Sequence, residues 1–143
     1  MSELENSDIL KEILKAVYTV AARRTTHNFA VVVLSTIIKN LEQRYDFLKK
    51  VSINSEIDSE DVVIISSDIN SIFPSEIGRA IEDIVQIASM NLKEKAGQYF
   101  IKEIEGYAGD EVISKLKDCG VDLELFMLHQ HYLYRQQQRE EKT

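Results

Sequence analysis

The chain has 143 residues, 44% hydrophobic and 29% charged, which suits one domain with its own core and excludes a disordered chain. A net charge of −7 opposes general nucleic-acid binding, which rests on clustered Lys and Arg facing phosphate. Cys119 is the one cysteine, so no intrachain disulfide can form and a reducing compartment fits best.

One proline and five glycines favour helices over long loops. The opening Met1-Ser2-Glu3-Leu4-Glu5 is acidic and lacks the charged-then-apolar layout of a signal peptide. The longest apolar run, Phe29 to Leu34, is far too short to cross a bilayer. The expectation is a soluble, cytoplasmic protein with one domain over residues 1–143, no membrane association, no internal repeat and no linker.

Ser7 is a natural N-cap for a first helix. Ile9, Ile13, Ala16 or Val17, and Val20 then repeat at helical spacing. Arg23-Arg24-Thr25-Thr26 interrupts the pattern, which predicts a turn near Thr25 to Asn28. In the second helix Val31, Leu34, Ile38, Leu41, Tyr45 and Leu48 alternate in steps of three and four, a heptad-like seam. Val33, Ile37, Phe47 and Val51 widen the apolar face, as a bundle helix requires. Its start, Val31-Val32-Val33, is β-branched, so packing must hold it helical.

After Lys49-Lys50 the period changes. Val51-Ser52-Ile53 reads as a short strand, and Val62 to Ile65 as a second. Between them Asn54 to Asp61 is polar and acidic, longer than the turns that hairpins prefer. Pro74 suits a first helical turn. From there Ile77, Ile81, Ile84, Val85, Ala88, Leu92, Ala96, Tyr99 and Ile104 keep helical spacing towards Gly106. Either this is one long helix of a dimer type, or it breaks near Asn91 to Gly97. Gly78 and Gly97 weaken it by about 1 kcal/mol each relative to Ala, and close helix approach would compensate. Tyr107-Ala108-Gly109 stops it, and Asp110 starts a short helix with Gly120 placed as its left-handed C′ residue. Asp122 caps a final helix lined by Leu123, Phe126, His129 or Gln130, and Leu133. The end from Arg135 to Thr143 is polar and expected to fray. The fold class predicted is mainly α: a bundle of about five helices with a small two-stranded β insert between the second and third.

Chemistry finds few anchors. His129 and His131, with Cys119, are the candidate metal ligands, but residues two apart on a helix point to different faces. His27 sits alone in a turn, where a capping or surface role is the ordinary one. Glu56, Asp58, Glu60 and Asp61 alternate like the early part of a calcium loop. The turn glycine is missing, however, and Ser67 stands where a bidentate Glu belongs. A solvated loop guarding a strand edge is the better reading. Cys119 lies at a helix C-terminus beside Asp118, where dipole and carboxylate both oppose thiolate formation. No phosphate loop, nucleophile elbow or zinc helix is present, so no catalytic residue and no cofactor is expected. Arg23, Arg24, Lys39 and Arg44 could make a modest basic face, with a solvated surface as the default. Tyr132 and Tyr134 cannot both face the core, and one offers a contact surface.

Four blocks, "YDFLKKVSI" (Tyr45 to Ile53), "DIN" (Asp68 to Asn70), "PSEIG" (Pro74 to Gly78) and "GVDLEL" (Gly120 to Leu125), resemble small, mostly helical output-type domains that are attached to archaeal signalling proteins or occur alone. The resemblance spans the last two-thirds of the chain and contains no catalytic motif. It implies a signalling or regulatory role. The functional expectation is a non-enzymatic interaction or regulatory module acting as a homodimer, with a protein partner possible. Its interface candidates are Leu34, Ile38, Leu41, Tyr45, Ile64, Ile65, Tyr132 and Tyr134. A ligand- or metal-sensing domain and a nucleic-acid-associated factor are the alternatives.

Overall fold

The first helix owes its start to a residue far away in the chain. In the computed structural model, which describes residues 4–54, 62–89, 94–125, 128 and 136, α1 spans Asn6–Arg24. Its N-cap is Glu5 and not Ser7. Glu5 and Asp8 form a capping box, each side chain accepting from the other's backbone amide, which satisfies two of the first turn's unpaired donors. The Ser7 amide instead donates to Asn70 Oδ1 at 2.8 Å, and Asn6 Nδ2 donates to the Ile72 carbonyl at 2.6 Å. Asn70 Nδ2 closes the clasp on Glu5.

The turn falls at Thr25-Thr26, within the predicted stretch. Thr26 Oγ1 accepts from the Phe29 amide at 3.1 Å and caps α2, His27–Leu41. This helix is shorter than its periodicity suggests. Glu42-Gln43-Arg44 form a polar turn with no apolar side to pack, Tyr45 becomes extended, and a 3₁₀ helix follows at Asp46–Lys50. Phe47, Leu48 and Val51 still face the core, so the apolar spacing survives the loss of the helix that should have carried it.

The insert is a hairpin, as the sequence predicts. β1 (Val51–Ile53) and β2 (Val63–Ile65) pair antiparallel, with Val51 opposite Ile65, Ser52 opposite Ile64 and Ile53 opposite Val63. The pleat buries Val51 and Val63 and turns Ser52 and Ile64 outward. The acidic positions 55–61 lie outside the described residues. A second 3₁₀ helix, Ser67–Ser71, follows, opened by Ser66 Oγ accepting from the Asp68 amide.

The apolar run after Pro74 carries two helices, α3 (Pro74–Ser89) and α4 (Glu94–Ala108), and positions 90–93 between them, where the continuous and the broken readings differ, lie outside the described residues. Gly109, at φ 90°, separates α4 from α5 (Asp110–Asp118). Gly120, at φ 92°, occupies the predicted C′ position. The Val121 amide reaches the Leu116 carbonyl at 2.9 Å and the Gly120 amide reaches Lys117 at 3.0 Å, the two bonds of a Schellman cap. Gly78 is needed here. A Cβ on it would lie 2.6 Å from the Cys119 carbonyl oxygen, so α3 crosses the end of α5 at a distance only glycine permits. Asp122 Oδ1 accepts from the amides of Glu124 and Leu125, the capping role expected of it.

The architecture is thus mainly α, a helical bundle with a two-stranded insert between α2 and α3. α1 is its axis and packs against α2, α3, α4 and α5. Leu10, Leu34, Ile81, Ile104 and Leu116 meet in one continuous core with essentially no exposure. Among the described residues no helix is long and apolar enough to cross a membrane.

Candidate functional site

Where the two 3₁₀ helices meet the start of α3, they leave an open groove of about 420 Å³. Buried Phe47 and Ile69 contribute apolar floor, and Arg44, Lys50, Asp68 and Glu76 contribute charge. Tyr45 Oη donates to Asp83 Oδ2 at 2.7 Å and Arg44 Nη1 to the same oxygen at 3.1 Å. That carboxylate holds the Arg44 guanidinium more firmly protonated, while burial, then Asp83, pushes the Tyr45 phenol above its usual range. Lys50 Nζ lies 2.8 Å from Asp68 Oδ2 and holds that carboxyl below the usual range. Tyr45 therefore stays protonated and the ion pairs neutralise one another. The groove is a bonded junction, its walls tied by Tyr45 and Arg44 to Asp83 and by Lys50 to Asp68.

Three of the four blocks quoted for the resemblance line this groove, the first through Tyr45, Asp46, Phe47 and Lys50, the second through Asp68 and Ile69, and the third through Glu76. Lys50 of the first meets Asp68 of the second, and Asn70 clasps α1. Gly78 of the third touches Cys119 and Val121, the latter in the fourth.

Cys119 is buried, and desolvation followed by Asp118 pushes its thiol pKa up, the direction expected and the opposite of an activated ligand. His129, His131, Tyr132 and Tyr134 lie outside the described residues, as do Glu56, Asp58, Glu60 and Asp61. Among the described residues no three His, Cys, Asp or Glu side chains are grouped to hold a metal ion. His27 opens α2, with its Nδ1 hydrogen-bonded to Tyr18 Oη and its ring edge-on to Tyr18 at 5.6 Å. The arginines of the suggested basic face diverge. Arg23 donates to Tyr107 Oη at 2.8 Å and Arg24 to Glu103 at 3.3 Å, both on α4, while Arg44 turns to α3.

A smaller recess of about 220 Å³ is lined by Lys102, Glu105, Glu124 and Leu128. Glu105 Oε1 is buried there with no hydrogen-bond partner among the described residues. Desolvation first, then the charges of Glu124 and Asp122, push its carboxyl above the usual range.

The interface candidates fall into two groups. Leu34, Ile38 and Leu41 are buried in the chain's own core, so a partner would reach them only by displacing α1 or α3. The seam of α2 is an intrachain feature. Tyr45 is held by Asp83, Ile65 is half-buried against the core, and Ile64 is exposed. The apolar side chains that do reach solvent on α2 are Phe29 and Val32, which the seam passed over. A signal was present. The run Phe29 to Leu34 is apolar without interruption, so one packed face cannot cover all of it. Comparison with protein-family models, curated proteins and solved structures finds no match to this chain.

Proposed function

We propose that this chain is a non-enzymatic interaction module of regulatory type that works as a homodimer. The observation that carries the reading is the Phe29 to Leu34 stretch of α2, which is apolar around its whole circumference and buried on one side only. Phe29 and Val32 remain in water although they belong to the most apolar stretch of the sequence. Exposed apolar surface of this kind marks an interaction site when it is contiguous. The regulatory part rests on the resemblance to signalling-output domains, three of whose four blocks line the groove. A cytoplasmic setting belongs to the same proposal and is supported by the buried, unpaired thiol of Cys119.

Sedimentation velocity over a range of protein concentrations tests it. A reversible rise from monomer to dimer mass supports the module as a homodimer. A strict monomer at every concentration reached contradicts it.

A further inference from the structure

We propose that two copies dock through the outer face of α2, packed antiparallel about a two-fold axis. The inference rests on the homodimer reading and adds the surface and its register.

Phe29, Val32, Thr36 and Lys39 step by three, four and three residues, which keeps them on one line of the helix. All four are exposed, on the side opposite the buried Leu34 and Ile38. Reversed about a point level with Leu34, this line is its own complement. Phe29 falls level with Lys39 of the partner subunit, and Val32 falls level with Thr36 of the partner subunit. An ammonium over a phenyl ring is a favourable contact. The Thr36 hydroxyl already donates to the Val32 carbonyl oxygen at 2.7 Å within the helix, so covering Thr36 strands no polar group and presents its methyl to valine. A parallel pair would set lysine against lysine and lose both matches.

Charge selects a second copy as the occupant. α2 contains no Asp or Glu, whereas each of the other four described α-helices carries at least two. Two chains of net charge −7 repel least where neither offers a carboxylate. The two-fold makes each contact twice. With 15 residues, α2 is only about 22 Å long, so the contact is small and its association reversible.

The test mixes a Val32→Cys chain with a Thr36→Cys chain under oxidised glutathione, beside each chain alone and the unsubstituted protein, whose one thiol is buried. Both substitutions are at exposed positions and leave the core intact. The mixture is expected to form the mixed disulfide dimer about tenfold faster than either chain alone, since only level positions reach disulfide geometry. A dimer by sedimentation without the mixed disulfide, or with disulfides formed equally well at one position alone, overturns this docking and leaves the homodimer reading standing. A monomer in both measurements overturns the two together.

Discussion

The two faces of α2 are built from similar residues and meet opposite surroundings. On the inner face Leu34 and Ile38 are 1% and 3% exposed, while on the outer face Phe29 and Val32 are 55% and 61% exposed. The inner side chains remove their surface from water against α1 and α3, at about 25 cal/mol per Å². The outer ones keep more than half of their surface in water and gain the rest of that term only when another surface covers them. One helix thus carries a folding face and an association face, and substitutions should separate them.

The largest effect belongs to the inner face. Leu34→Ala leaves a cavity in a packed core and is expected to lower unfolding free energy by about 2–5 kcal/mol. Urea unfolding followed by circular dichroism reads it. A loss no larger than that of an exposed position would erase the distinction between the faces.

Asn70→Ala comes next. It removes the acceptor of the Ser7 amide and the donor to Glu5 and should cost about 1–2 kcal/mol. Hydrogen exchange at the Ser7 amide should rise more than exchange in the middle of α1. Equal acceleration along the helix would mean that the clasp does not act locally.

These two positions also mark what could be read from sequence. The α1 stripe, the Thr25-Thr26 turn, both strands, the Gly120 cap and Asp122 were legible because each is set by neighbours within a few residues. Asn70 was not, because it acts on a helix 63 residues earlier. The end of α2 was missed for a related reason. Phe47, Leu48 and Val51 keep inward spacing through a 3₁₀ helix and a strand, so apolar periodicity alone cannot report where the helix stops. At the candidate site, the seam through Leu34 and Ile38 gave the right residues for burial and the wrong neighbour, since periodicity records that a face is covered and not by which chain.

A smaller effect is expected at Glu105. Its folded carboxyl is pushed above the usual glutamate range, so the ionised form is disfavoured in the folded state. The associated cost is present at neutral pH. It is relieved as pH falls through the raised folded value towards the ordinary unfolded one, and this group's share of stability therefore rises on mild acidification. Glu105→Gln should flatten that part of the pH profile without lowering stability at neutral pH. A variant whose profile matches the original would contradict the assignment.

Val32→Glu should change unfolding free energy least, by about 0.5 kcal/mol or less, since the position is exposed. Its effect belongs to association, and sedimentation velocity of the original chain, Val32→Glu and Ile64→Lys over the same concentrations is the most direct test. Ile64 is exposed and apolar but lies on the hairpin. A dimer is expected for the original chain, with a dissociation constant raised about tenfold or more by Val32→Glu and little changed by Ile64→Lys. A dimer that survives Val32→Glu and is lost with Ile64→Lys would contradict that expectation and move the association face from α2 to the hairpin.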